Sequence, residues 1–187
     1  MKISIVLPAK NEAASIGAVI KEYASLYPKA ELIDVDDGSE DHTAKLAAQA
    51  GARVISNPYS KGNGAAVKTG ARSATGDGIV FMDADGQHQP KDIEPLLKEI
   101  QAGYDLVVGA RNPTGQASKA RGFGNNIYNR LSSWMVGHTI EDLTSGMRTV
   151  RASLFKEILY LLPNGFSYPT TSTMAFFRAG YSVKYVP

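Results

Sequence analysis

Apolar positions along the chain switch period repeatedly. Ile3–Leu7 is a short β-prone run broken by Pro8-Ala9-Lys10-Asn11-Glu12, after which Ile16, Val19, Ile20 and Tyr23 recur at helical spacing until Pro28. The same unit then repeats. Glu31–Val35 predicts a second strand, Leu46 and Ala47 sit in a helix that Gly51 closes, and Arg53–Ile55 predicts a third strand. The glycine-spaced turn KGNGAA opens a helix from Ala65 to about Ser73, and Ile79–Met82 reads as a buried strand. Ile93, Leu96, Leu97 and Ile100 mark one helix face, Gly103 ends that helix, and Leu106–Val108 is the next strand. Further on, Leu154, Ile158 and Leu161 predict a short helix, Thr173–Ala179 another, and Tyr181–Val186 a final strand.

Strands alternating with helices at this pace predict an α/β fold, a largely parallel sheet flanked by helices. Ligands of such sheets lie beyond the strand carboxyl ends. Pro8–Glu12, Asp36-Asp37, Asp83-x-Asp85 and Arg111 all emerge there. Alternation aims Asp83 and Asp85 the same way and turns Ala84 aside. Two converging carboxylates repel unless a cation lies between them, and oxygen ligands suit Mg²⁺ or Mn²⁺ sharing its remaining positions with water and phosphate. Alone, Asp37-Gly38 reads as a turn; together with acids on neighbouring strands it points to a metal-diphosphate site. Asp37 or Ser39 is placed to cap the following helix.

Composition narrows the class. A chain of 187 residues suits one domain with a real core, and nine prolines and 18 glycines scattered between periodic segments leave no low-complexity linker. The lack of cysteine removes disulfides, thiolate zinc sites and cysteine nucleophiles. The N-terminal apolar run is too short for a signal peptide, and no stretch nears the ~18 apolar residues of a spanning helix, which predicts a soluble chain. A net charge of +2 is too small to imply nucleic acid as a partner. Its distribution says more, because residues 112–137 hold Lys119, Arg121 and Arg130 and no acid. Within that run Phe123, Ile127, Leu131 and Trp134 recur at helical spacing, a stripe that more often packs on the core than lies at a membrane interface. His42, His88 and His138 are scattered, and His88 beside the acids suits a supporting or surface role.

The motifs LPAKNE, VDDGSEDHT, KGNGAAVKTGARSATG, MDADGQH, VVGAR and DLTSGMR, in one order over nearly the whole chain, resemble the GT-A family 2 glycosyltransferases. Within them the resemblance is to the dolichyl-phosphate mannosyltransferase and undecaprenyl-phosphate glycosyltransferase branch. It implies a GT-A fold spanning residues 1–187, with a donor half to about 111 and an acceptor half after it. It implies that Pro8, Lys10 and Glu12 line the base and ribose, with Asp37 near the base and Val35 beside it. Lys10 stands where relatives often have tyrosine. Asp83, Ala84, Asp85 and Gln87 match the metal and diphosphate motif, Arg111 an arginine near the diphosphate, and Lys61 a segment beside the nucleotide. Apart from the resemblance, Arg121 of the basic run joins the phosphate-binding set. Asp142 is either a base toward a hydroxyl acceptor or a turn cap, and a positioning role is favoured. FSYPTTSTM lacks an acid that relatives carry just before its methionine.

The expected activity is metal-dependent, inverting transfer from a UDP- or GDP-sugar to a polyprenyl phosphate at the cytoplasmic face of the membrane. Such an acceptor arrives ionised and needs basic residues more than a base. A saccharide hydroxyl acceptor and a non-catalytic nucleotide-sugar-binding module remain open. A dinucleotide-dependent dehydrogenase does not fit, since the first strand leads into PAKNE rather than a glycine-rich turn. The family pattern continues past Pro187 with a basic segment over the donor phosphates, so the chain is expected to be truncated there.

Overall fold

The computed structural model describes residues 1–86, 90–110 and 129–187. Its strands are β1 (Ile3–Ala9), β2 (Glu31–Asp36), β3 (Arg53–Ser56), β4 (Gly78–Phe81), β5 (Leu106–Gly109), β6 (Arg148–Arg151) and β7 (Val183–Val186). The helices used below are α1 (Ile16–Leu26), α2 (Thr43–Gln49), α3 (Asn63–Ser73), α4 (Ile93–Ala102), α5 (Ala152–Glu157) and α6 (Tyr168–Arg178). A further helix covers 129–136. Among the described residues the strands form one sheet in the order β3-β2-β1-β4-β6-β5-β7.

Pairing is parallel for β1 with β2 and β4, β2 with β3, and β5 with β7, whereas β6 runs antiparallel to both β4 and β5. Six strands therefore end on one edge, and the reversed β6 begins there. That reversal is what brings the Thr144–Met147 turn to the same edge as the carboxyl ends of β1, β2 and β4.

Alternation along β1 splits the core into two layers. Ile5 and Leu7 pack with Ile16, Ile20 and Tyr23 of α1 and Ile93, Leu96 and Ile100 of α4. Val6 faces the other way, onto Ala66, Val67 and Ala71 of α3, with Phe155 of α5 and Phe176 of α6 in the same cluster. Each such aliphatic or aromatic burial contributes about 1.5–3 kcal/mol. Helix α3 lies so close to β1 that a Cβ at Gly70 would sit 2.3 Å from Val6 Cγ1, which is why this face is built from Ala and Gly. Among the described residues no helix is long and apolar enough to cross a membrane.

Three expectations are corrected. Neither Asp37 nor Ser39 caps α2: Asp41 Oδ1 accepts the Thr43 N–H at 2.9 Å, while Ser39 Oγ accepts the Asn11 N–H. The last helix starts at Tyr168, with Pro169 in its first turn where a missing N–H costs nothing. Leu131 and Trp134, the described half of the apolar stripe, face solvent at 53% and 80% exposure instead of packing on the core. Phe123 and Ile127 lie outside the described residues.

Candidate active site

The carboxyl edge of the sheet opens into a cleft of about 610 Å³. Pro8, Lys10 and Glu12 line it from the end of β1, and Asp37 from the end of β2. Asp83, Ala84 and Asp85 line it from the end of β4. The structure thus gathers these seven expected residues around one space. Val35 is fully buried under α3, its Cγ2 facing Gly70, and is not among the lining residues. Lys61 is not among them either; its Nζ lies 5.5 Å from the Tyr59 ring centroid. Gln87, His88, Arg111, Lys119 and Arg121 lie outside the described residues.

Side chains from both sides tie the loop after β1 to the segment between β2 and the start of α2. Thr43 Oγ1 accepts the Glu12 N–H at 2.8 Å, Asp41 accepts the Ala13 N–H, and Asn11 Oδ1 accepts the Glu40 N–H. Asn11 adopts a left-handed backbone (φ 56°), which asparagine tolerates and which turns the chain back toward α1. Ser15 Oγ donates to Glu12 Oε2 and lies 3.0 Å from the Ala84 carbonyl, tying the β1 loop to the Asp83-Ala84-Asp85 segment.

Asp37 does more than sit at the edge. It accepts hydrogen bonds from Asn57 Nδ2, Ser60 Oγ and the backbone N–H groups of Lys61 and Gly62, at 2.8–3.1 Å. Burial opposes its ionisation, yet these donors, led by the Lys61 N–H, hold its carboxyl below the usual range. The Lys61–Gly64 turn is thereby fixed onto the end of β2. Gly62 (φ 101°) stands just before α3, and a Cβ there would meet the Asn164 carbonyl at 2.5 Å, so the turn also abuts the 163–165 segment.

Asp83 is half-buried and Asp85 exposed. Among the described residues no group of three or more acidic or histidine side chains converges. A cation here would take two protein carboxylates and complete its shell from water and a phosphorylated ligand, a donor set that fits Mg²⁺ or Mn²⁺. Opposite the pair, the turn before β6 presses in. A Cβ on Gly146 would lie 3.1 Å from Asp83 Oδ2, and Thr144 lines the same cleft. Asp142 Oδ1 shapes this turn by accepting the Thr144 and Ser145 N–H groups at 3.0 and 3.1 Å, and Ser145 Oγ donates to the Gly109 carbonyl.

Sequence reasoning gave Gly146 no role and noted the FSYPTTSTM segment only for an acid it lacks, whereas its Phe166, Tyr168 and Pro169 line the cleft. The signal was present in part, since Gly146 belongs to DLTSGMR, but only the reversed β6 aims that turn at Asp83.

A family model described as "Glycosyl transferase family 2" matches residues 4–159. A dolichyl-phosphate hexose transferase of Haloferax volcanii is 31% identical over 188 residues, covering 99% of this chain and 81% of that protein. An undecaprenyl-phosphate 4-deoxy-4-formamido-L-arabinose transferase of Proteus mirabilis is 31% identical over 170 residues, covering 84% of this chain and 51% of that protein. Among solved structures, glucosyl-3-phosphoglycerate synthase from Mycobacterium tuberculosis in complex with Mn²⁺, UDP-glucose and phosphoglyceric acid superposes with a TM-score of 0.79 at 26% identity. It covers 99% of this chain and 69% of that one. The acid-lined carboxyl edge, the single reversed strand and these matches agree, and the chain belongs to glycosyl transferase family 2, a glycosyltransferase of GT-A fold.

Proposed function

We propose that the chain carries the catalytic site for inverting transfer of a sugar from a UDP- or GDP-sugar to a polyprenyl phosphate at the cytoplasmic face of a membrane. The observation that carries this reading is the meeting of Asp83 and Asp85 with Pro8, Lys10, Glu12 and Asp37 around one cleft. The names of the Haloferax and Proteus relatives support the acceptor class, and the Mn²⁺ and UDP-glucose of the mycobacterial structure support the donor class and the cation.

In this reading Pro8, Lys10, Glu12 and Asp37 hold the nucleoside end of the donor, and Asp83 and Asp85 hold a divalent cation on its diphosphate. That cation would neutralise the charge growing on the departing phosphate as the glycosidic bond breaks. Arg111 is assigned to phosphate binding on the strength of the family resemblance, and Arg121 on its place in the acid-free basic run 112–137. The acceptor phosphate oxygen attacks the anomeric carbon directly and, being ionised, brings no proton to be removed. Asp142 then has a positioning role, consistent with its bonds to Thr144 and Ser145.

Calorimetric titration of UDP and GDP with and without Mn²⁺ tests the site. The Asp83→Ala, Asp85→Ala double variant should lose the Mn²⁺-dependent part of nucleotide affinity, by about tenfold or more. Equal affinity and Mn²⁺ dependence in parent and variant would discard the assignment. A second reading, transfer to the hydroxyl of a small acceptor, draws on the likeness to glucosyl-3-phosphoglycerate synthase. Turnover with a soluble hydroxyl acceptor that Asp142→Asn abolishes would favour it over lipid-phosphate transfer.

A further inference from the structure

The helix over 129–136 is built inside out. Arg130, Leu131, Trp134 and Met135 share its exposed side, with Leu131, Trp134 and Met135 at 53, 80 and 50% exposure. Its inward side is polar. Ser132 is buried, Ser133 Oγ donates to the Asn129 carbonyl and accepts the Ile140 N–H, and Asn129 bonds both the Glu141 carbonyl and the Leu143 N–H. A helix packed for its own domain would place these residues the other way round. The polar anchors fasten it to the strand of chain that continues into Thr144 and Gly146, so the outward face is rigidly tied to the cleft wall. Phe166, 82% exposed, stands at the cleft itself.

We infer that Leu131, Trp134 and Met135, with Arg130 beside them, form an interfacial docking face for an anionic lipid bilayer that sets the cleft against the membrane surface. This rests on the polyprenyl-phosphate reading, in which the acceptor head group lies at that surface. Charge favours lipid, because from Asn112 to Ile140 the sequence contains no acid and Arg130 adjoins the apolar side chains. Size disfavours a protein partner: three side chains on two helical turns offer far less than the roughly 800 Å² per partner of a stable complex. The residue types suit a headgroup boundary, where a tryptophan ring is half solvated and aliphatic side chains enter the acyl region.

Trp134 is the chain's one tryptophan, so its fluorescence reads this face directly. On addition of vesicles of phosphatidylcholine mixed with phosphatidylglycerol, emission should shift to the blue and the protein should co-sediment. Both effects should weaken with added salt and be much smaller with phosphatidylcholine alone. Leu131→Ser with Met135→Ser should abolish both while leaving the circular dichroism spectrum and Mn²⁺-dependent nucleotide affinity at parent values. Absence of a blue shift in the parent, or an undiminished shift in the variant, overturns the inference. So does a shift that follows protein concentration without vesicles and accompanies dimer formation, which would assign the face to a second copy. Vesicle binding without any Mn²⁺-dependent nucleotide binding would instead remove the donor-site reading and leave the docking face standing.

Discussion

Arg148 is among the largest fully buried side chains of the described residues. Its Nη1 donates to the Pro169 carbonyl at 3.0 Å and to Ser172 Oγ at 2.7 Å, and its Nη2 to the Ser145 carbonyl. One guanidinium thereby joins the turn before β6 to the first turn of α6, two segments that line the cleft. Burial pulls its pKa below the arginine norm, against the opposing influence of Tyr168, Tyr185, Asp142 and Asp83; arginine keeps its proton in proteins, so a buried cation stands near the proposed metal site. A lysine has a point charge and no fork to span both segments. Arg148→Lys should cost about 3 kcal/mol, read as a lower urea midpoint at unchanged slope. A midpoint within error of the parent would show that the fork is dispensable.

At the scale of elements, β2 carries a conflict. Asp34 sits on the same face as Leu32, fully buried, and neither of its oxygens has a hydrogen-bond partner among the described residues. Burial, with the Asp36 charge added, raises its pKa from 3.8 to about 7. The unfolded chain releases this proton near pH 3.8 while the folded chain keeps it to about 7. Folding stability attributable to Asp34 therefore falls as pH rises through that window, and the deficit is complete above it. Asp34→Asn should stabilise the protein by about 2–4 kcal/mol at pH ~8 and by almost nothing at pH ~4, measured by urea denaturation. Equal effects at both pH values would place the proton elsewhere.

The same strand shows what the sequence discloses and what it does not. β1, β2 and β4 are legible because a short apolar run ends abruptly in charge or proline, and α1 and α4 because their apolar residues recur every three or four positions. Arg148–Arg151 is not legible as a strand. Its central position is decided by pairing with β4 and β5, both remote in sequence, and its buried arginine reads locally as surface. The bonds of Asp37 to the 57–62 segment are equally non-local. Helix 129–136 shows a different limit: spacing tells that Leu131 and Trp134 share a face, and only the packed neighbours tell that the face points outward.

For the whole molecule, the cleft lies where the one reversed strand, β6, enters an otherwise parallel sheet, and Gly146, in the turn before β6, approaches Asp83 at the end of β4. No other residue type fits there unchanged, since a Cβ would stand 3.1 Å from Asp83 Oδ2 and the carboxylate would have to give way by a few tenths of an ångström. A divalent cation senses such a shift, because oxygen ligands must lie within about 0.2 Å of their preferred distance. The Gly146 backbone carries no left-handed φ, so alanine strains nothing else. Gly146→Ala should keep the thermal midpoint within about 2 °C of the parent. It should weaken Mn²⁺-dependent nucleotide binding by roughly tenfold, with Mn²⁺-independent binding unchanged. That split, read by calorimetry on the full chain, separates contact at the carboxylate proposed to hold the cation from general destabilisation, which would lower both affinities and the midpoint together. Unchanged Mn²⁺ dependence would mean that Asp83 holds its position without the space Gly146 leaves.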